Sequence, residues 1–271
     1  SVSTGVQNTL IGGLSGDALT EGEYNVAVGY NALTTEDTGD RNTAVGYNTL
    51  KNLNFDGNGY NTAVGYDAGR KITTGVQNTI LGSLAGDALT EGNTNVAIGY
   101  VALSEETLGD RNVAIGRGAL GSQNNTSDTD VYNTAVGYNA GAAVTTATLN
   151  TIVGGLAGDA LTTGEKNVAV GYLALSGDVA GADNVAIGHG AMSATDNARA
   201  NVAIGFNALQ SLDYVNLTYS HNIGIGFNAA KLITTGTYNT IVGGLAGDAI
   251  TEGHNNVALG YNSLAANTTG T

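Results

Sequence analysis

An asparagine followed by a short apolar stretch and a glycine recurs at a nearly constant interval through the whole chain. Subtracting the numbers of neighbouring asparagines gives 17 in eleven of fourteen steps, 19 in one step and 21 in two. A fixed period this short is typical of a solenoid, in which one coil cannot bury its apolar face alone and stacks on its neighbours. The fifteen leading asparagines, each taken as position 1 of a coil, are Asn8, Asn25, Asn42, Asn61, Asn78, Asn95, Asn112, Asn133, Asn150, Asn167, Asn184, Asn201, Asn222, Asn239 and Asn256.

The first five positions of each coil predict a short strand that ends in a turn. Position 4 is Ile, Val or Leu and position 5 is Gly in all fifteen coils, whereas position 3 is mostly Ala. This alternation favours a strand with one face of larger side chains and one of small side chains. We therefore predict an all-β, parallel β-solenoid (β-roll) of about 15 coils, forming one repeat domain over residues 1–271. Both ends match parts of further coils, so we also expect a segment of a longer fibre.

Stacking such coils predicts columns of identical side chains. The asparagines would form a structural amide ladder beside an aliphatic column and a glycine column. The aromatic residue common at position 6 is expected to be a packing ladder with its polar group at the rim. Representative members of the structural ladder are Asn25, Asn95, Asn167, Val28, Gly29, Ile98 and Gly99.

A longer repeat is superimposed on the short one. The segment 14–22 returns at 84–92, 156–164 and 245–253. In these coils position 6 changes from an aromatic residue to Gly or Ser, while position 3 grows from Ala to Leu or Ile. This covariation predicts that the two positions exchange volume.

Composition excludes several classes of function. Nine Lys and Arg against 23 Asp and Glu give a net charge of −14, which opposes binding to nucleic acid and to anionic membranes. The chain has no cysteine, so disulfides and thiolate metal sites are ruled out. No apolar run is long enough to span a bilayer, and we expect no membrane insertion.

Three coils carry extra residues, always between position 9 and the next asparagine. Insertions in solenoids lie on one face and often supply the recognition surface, although they can also be merely tolerated loops. The insertions cover 52–60, 121–132 and 210–221. Their candidate binding residues, suited to a host-surface glycan or protein, are Asp128, Asp130, Tyr132, Tyr214, Tyr219 and His221.

The sequence offers no constellation for catalysis. The three histidines, His189, His221 and His254, fall in different coils without a recurring partner, so we predict no catalytic residue and no enzyme. We expect no cofactor and no dedicated metal site, apart from occasional Ca²⁺ near Asp17, Asp87 or Asp248.

A rank of threonines at position 2 suggests ice binding as a further alternative. Thr fills this position in seven coils, but Val or Ile fills it in the other eight. The broken rank predicts that position 2 faces inward, which argues against ice binding.

The coil motif resembles a known repeat. Asn-Val-Ala-Ile-Gly-x-x-Ala-Leu, at 95–103 and 201–209, is similar to the head repeats of trimeric autotransporter adhesins and of phage tail fibres with similar repeats. The resemblance implies a left-handed, homotrimeric β-roll that forms a stiff shaft or head for attachment to host surfaces. It implies an extracellular, cell-surface or virion location. The alternatives are a subunit that polymerises end to end into an extracellular filament or sheath, and a carbohydrate- or ice-binding β-solenoid.

Overall fold

The computed structural model describes residues 2–270, and those residues form strands and turns without any helix. This confirms the predicted all-β parallel solenoid and its repeat spacing. Fifteen of the strands are three residues long and fall at positions 2–4 of the fifteen coils. The strands are β1 (Thr9–Ile11), β2 (Val26–Val28), β3 (Thr43–Val45), β4 (Thr62–Val64), β5 (Thr79–Leu81), β6 (Val96–Ile98), β7 (Gly109–Asp110), β8 (Val113–Ile115), β9 (Thr129–Asp130), β10 (Thr134–Val136), β11 (Thr151–Val153), β12 (Val168–Val170), β13 (Val185–Ile187), β14 (Asp196–Arg199), β15 (Val202–Ile204), β16 (Asp213–Tyr219), β17 (Ile223–Ile225), β18 (Thr240–Val242) and β19 (Val257–Leu259).

The chain divides into two compact units, Ser1–Tyr132 and Asn133–Thr271. In the first unit, the strands of successive coils pair in parallel and in register, as Thr9 does with Val26. The second unit is built in the same way, with Thr151 beside Val168. Equal positions therefore form columns within each unit. That the two units make one repeat domain stays a prediction.

The small-residue face of each strand points into the coil. In the second coil Ala27 is fully buried, while Val26 and Val28 on either side of it are only half-buried. Asn25, Ala32 and Leu33 complete the interior of that part of the coil. So short a coil encloses little volume, which is why alanine rather than a larger residue suits the inward strand position.

Position 2 faces outward, so the prediction of an inward-facing threonine rank was wrong. Thr62 and Thr151 are exposed, and Thr43, Thr79 and Thr134 are half-buried. The mixture of Thr with Val and Ile at this position reflects a surface column that accepts β-branched side chains of either polarity.

In the coils with Leu or Ile at position 3, the space for the larger side chain comes from a glycine at position 9, not from the change at position 6. Position 9 is Gly86 in the coil that carries Ile80 at position 3, and a Cβ on Gly86 would lie 3.2 Å from the Ile80 Cδ1 atom. The second coil instead pairs Ala27 with Leu33, both fully buried. Position 6 lies on the outside, so its side chain cannot compensate for a change in the interior.

The leading asparagines connect neighbouring coils and also close their own coil. The backbone N–H of Asn25 donates to the Oδ1 atom of Asn8 at 2.9 Å, and the Oδ1 atom of Asn25 accepts in the same way from Asn42 at 2.9 Å. The Nδ2 group of Asn25 donates to the carbonyl oxygen of Gly39, at position 15 of the same coil, at 2.7 Å. A buried amide with both ends hydrogen-bonded carries no desolvation penalty for a missing partner.

Candidate interaction surfaces

The insertion 121–132 carries three candidate residues, and two of them, Asp130 and Tyr132, contact Arg111. Strand β9 pairs with β7, which places Asp130 beside Arg111, and the two side chains form an ion pair. The Tyr132 hydroxyl donates to the second carboxylate oxygen of Asp130 at 3.3 Å, and the Arg111 guanidinium carbon lies 5.6 Å from the Tyr132 ring centre. Asp128, on the same insertion, is exposed.

The insertion 210–221 is anchored to the rest of the solenoid by Tyr214. This side chain is only 6% exposed, and its hydroxyl donates to the carbonyl oxygen of Gly236 at 2.7 Å. The surrounding strand β16 pairs in parallel with β14. Tyr214 therefore lies inside the coil and is not available to a ligand at the surface.

Tyr219 and His221, from the same insertion, lie in an exposed stack of rings. The Tyr219 and His221 ring centres are 6.0 Å apart, and those of His221 and Tyr238 are 5.4 Å apart. The guanidinium group of Arg199 covers Tyr219 at 5.6 Å. The structure thus brings these two candidate residues together and adds Arg199 and Tyr238, which the sequence analysis did not select.

His221 and Tyr238 belong to a row that the last residues of the coils form within each unit, here called the end row. Every residue that precedes a leading asparagine has a left-handed backbone, with φ between 48° and 62°. In the first unit, the Arg41 guanidinium lies 4.8 Å from the ring centre of Tyr24 and 6.0 Å from that of Tyr60. The end row therefore places arginine and aromatic side chains on the surface of an acidic chain.

Each of the two units also exposes the side chains at positions 2 and 4, here called its strand face. All thirty residues at these positions are Val, Ile, Leu or Thr, so none carries a charge. Val28 and Ile98 of the predicted aliphatic column lie on this face and are half-buried, and Leu81 is 36% exposed. An apolar surface of this regularity marks an interaction site more often than ordinary surface.

The aromatic residues at position 6 form stacked rows beside the strand face. Tyr47 lies between Tyr30 and Tyr66, with ring centres 5.5 and 5.3 Å away. In the second unit, the His189 ring lies 5.4 Å from that of Tyr172 and 5.0 Å from that of Phe206. The tyrosine and phenylalanine rings are about half exposed, so this packing ladder is also a surface.

Position 12 contains buried carboxylates that the sequence analysis missed. Nine coils have a branched aliphatic residue there, but Glu36, Glu106 and Asp178 occupy it in three others and are fully buried. Each accepts the backbone N–H of the glycine three residues later, at 2.8, 2.9 and 2.8 Å respectively. Burial raises the pKa of Glu36, and it raises the pKa of Asp178 to about 7.

The acidic residues considered for Ca²⁺ do not converge. Asp17 is exposed, Asp248 is half-buried, and Asp87 forms an ion pair with Arg70 at 3.8 Å. Burial raises the pKa of Asp87, against the opposing effect of that arginine. Among residues 2–270, no three His, Cys, Asp or Glu side chains are grouped to hold a metal ion. Occasional Ca²⁺ binding stays a prediction.

The candidate residues therefore offer contacts on exposed surfaces and not an enclosed binding site. The described part of the chain has no pocket, and it contains no helix long and apolar enough to cross a membrane. Comparison with known proteins gives no match to a family profile, a curated protein or a solved structure.

Proposed function

We propose that this chain is a structural segment of an extracellular or virion fibre, assembled from three copies that pack through their strand faces. The observation that carries the proposal is the uncharged strand face on a chain of net charge −14. Copies of such a chain repel one another over most of their surface, and a face without carboxylates is where they can approach. Burying its branched side chains between copies removes apolar area from water.

The resemblance of the coil motif to adhesin and tail-fibre repeats supports three-fold assembly, left-handed coils and a role in attachment to a host surface. Backbone hydrogen bonds from coil to coil provide stiffness without any disulfide. The surfaces that contact the host are those that remain exposed in the trimer. The cluster of Asp130, Arg111 and Tyr132 and the stack of Tyr219 and His221 provide charged and aromatic groups for a glycan or protein.

The mass of the native protein, measured by light scattering after size separation, tests self-association. We expect three chains for the wild type and single chains after the double substitution Ile98→Asp and Ile115→Asp, because two charges in each copy would have to be buried. Thr94→Asp adds a charge to the end row of the neighbouring coil and should leave the mass unchanged. Circular dichroism checks that each variant keeps its β-structure.

A wild-type protein that runs as a single chain contradicts the trimer. Growth into rods with concentration would instead favour end-to-end polymerisation. The attachment role has its own test, in which 121–132 and 210–221 are shortened to the length found in ordinary coils. A shortened chain that still forms trimers but no longer adheres to host surfaces would support the proposal, and unchanged adhesion would confine the chain to a shaft.

Ice binding is a second candidate because the threonines at position 2 face outward. The Thr, Val and Ile side chains at position 2 of a parallel sheet are repeated at the strand spacing of about 4.8 Å. A single-chain protein that shapes ice crystals, and that loses this activity after Thr62→Lys, would favour this candidate over the fibre. An end-row substitution, Gln77→Lys, is the matched control.

A further inference from the structure

The aromatic row at position 6 of the first unit is interrupted at Ser83. Tyr66 in the coil before and Tyr100 in the coil after stand two coils apart, which is about 10 Å at the usual strand spacing. Elsewhere in the same row a ring fills the equivalent space, since Tyr47 lies between Tyr30 and Tyr66 at centre distances of 5.5 and 5.3 Å. The notch at Ser83 is thus the position of a missing ring.

Both walls of this notch have one face covered and the other open. Tyr66 stacks on Tyr47 on its far side, and the Arg117 guanidinium covers the far side of Tyr100 at 5.9 Å. Tyr66 is 53% exposed against 45% for Tyr47, as expected for a ring with one stacked neighbour instead of two. The faces that point toward Ser83 make no ring contact within the described chain.

Ser83 also gives the notch a polar floor. Its side chain is partly exposed and ends in a hydroxyl group. A hydroxyl between two ring faces suits a ligand that is flat and carries a hydrogen-bonding group on its edge.

From this geometry we propose that the notch formed by Tyr66, Ser83 and Tyr100 binds a small planar aromatic molecule with a polar edge, such as a phenol or an indole. The molecule stacks between the two tyrosine rings, as Tyr47 does between its neighbours, and its polar edge bonds to the Ser83 hydroxyl. A free molecule is the occupant because the notch is one coil thick and most of the chain's own exposed rings are already held in stacks. The site does not depend on the proposed trimer.

The same interruption recurs in the second unit, where Gly155 follows Tyr138 and precedes Tyr172, and Gly244 lies between Phe227 and Tyr261 in the row. A Cβ added at Gly155 would lie 3.6 Å from the Tyr172 ring, an ordinary van der Waals distance. These two positions therefore have room for a side chain. Because they could bind the same kind of molecule, the experiment must measure the number of molecules bound per chain.

The test is a fluorescence titration of the full chain with indole as the probe. The protein has no tryptophan, so light of a wavelength longer than the tyrosine absorption band excites only the added indole. We expect saturable binding to the wild type and one fewer site per chain in Ser83→Tyr, which supplies the missing ring. The triple substitution Ser83→Tyr, Gly155→Tyr and Gly244→Tyr should abolish saturable binding. Ser83→Ala should keep the number of binding sites and weaken the affinity of the notch at position 83 for indole several-fold, because only a hydrogen bond is lost.

Tyr66→Leu provides an independent variant, since it removes an exposed wall without filling the notch. It should weaken binding at this site about tenfold. The proposal is overturned if the wild type shows no saturable binding, or if Ser83→Tyr and Tyr66→Leu bind as many molecules with the same affinity. Absence of indole binding together with a lower native mass for Ser83→Tyr would show that a ring from another copy fills the notch, and that also overturns it.

Discussion

Asp178 and Asn267 occupy position 12 of their coils and make the same hydrogen bond. The Oδ1 atom of Asp178 accepts the backbone N–H of Gly181 at 2.8 Å, and that of Asn267 accepts the N–H of Gly270 at 2.9 Å. One side chain is an acid and the other an amide, so this turn requires an acceptor oxygen and not a charge. The pKa of Asp178 is raised to about 7, mainly by burial; the hydrogen bond from Gly181 lowers it and the nearby Asp196 raises it by smaller amounts.

Stability should therefore fall as pH rises through the range in which Asp178 loses its proton. The pKa is about 7 in the folded chain and near its ordinary value of 3.8 when unfolded, so between these values the folded state binds more protons. The free energy of unfolding is then highest below about pH 4 and falls by ~4 kcal/mol toward pH 7 and above. Asp178→Asn should remove the part of this slope that comes from Asp178 and stabilise the protein at pH 8. Denaturant unfolding at pH 5 and pH 8 measures both effects.

Asp128→Asn is the control, because it removes one carboxylate from an exposed position. It should leave the pH dependence of unfolding close to that of the wild type. A smaller slope should persist in Asp178→Asn, since burial also raises the pKa of Glu36, Asp87 and Asp159. An Asp178→Asn protein with the full wild-type slope would show that this carboxyl is not its source.

Glu106 should be the most costly of the position 12 acids to remove. Its Oε1 atom accepts the backbone N–H groups of Thr107, Leu108, Gly109 and Asn125 at 2.9 to 3.2 Å. Its Oε2 atom accepts from the side chains of Gln123 and Asn125 at 2.8 and 2.9 Å. Glu106→Ala leaves these donors without their acceptor, and we expect a loss of roughly 3–5 kcal/mol in the free energy of unfolding.

Two further variants test whether the loss comes from the hydrogen bonds that Glu106 accepts and not simply from removing a carboxylate. Glu105→Ala removes an exposed carboxylate one residue away and should change stability by less than about 0.5 kcal/mol. Glu106→Leu fills the position with the residue found there in other coils, yet it should remain destabilised because the donors stay unpaired. Full stability in Glu106→Leu would mean that the hydrogen bonds contribute little.

The sequence predicted the parallel solenoid and its register because spacing alone determines both. Each constant step along the chain places equal positions side by side, and the asparagine and glycine columns follow directly. It predicted the wrong face of the strand to be inside at position 2, because a three-residue strand such as Val26 to Val28 has no longer pattern that distinguishes its two faces. The answer depends on volume, since Leu33 and its equivalents already fill the interior and only Ala27 fits beside them.

The candidate surfaces were predicted less completely, for local reasons. Glu36 lies in a polar stretch that looks like a surface loop, and only alignment with Leu19 at the same coil position indicates burial. Tyr214 was grouped with Tyr219 by position in the insertion, but the backbone of β16 turns its side chain inward. The meeting of Arg111 with Asp130 depends on the pairing of β7 with β9, two strands too short for sequence to indicate.

Two adjacent glycines should respond very differently to substitution. Gly154 has φ of 140°, and a Cβ there would collide with the carbonyl group of Gly171 in the next coil. Gly155 has no such backbone requirement, and its Cβ would lie 3.6 Å from the Tyr172 ring. We expect Gly154→Ala to lower the free energy of unfolding by about 3 kcal/mol or more, and Gly155→Ala to be nearly neutral. Equal effects in thermal unfolding would refute the close approach of the coils.

The exchange of volume between positions 3 and 9 predicts that two damaging substitutions will compensate each other. Ile80 is fully buried, so Ile80→Ala should leave a cavity and cost about 2–4 kcal/mol. Gly86→Leu should also destabilise, because a Cβ there would lie 3.2 Å from the Ile80 Cδ1 atom and 3.0 Å from the Leu89 Cδ1 atom.

The double variant Ile80→Ala with Gly86→Leu reproduces a combination that the chain already uses, since the third coil buries Ala44, Leu50 and Leu53 at positions 3, 9 and 12. Leu50 adopts φ of 47° there, close to the 51° of Gly86, so the backbone can accept leucine. We expect the double variant to recover at least half of the summed loss in a denaturant double-mutant cycle. Additive losses would mean that the two side chains do not share one space, and the interior of the coil would then have to be filled in another way.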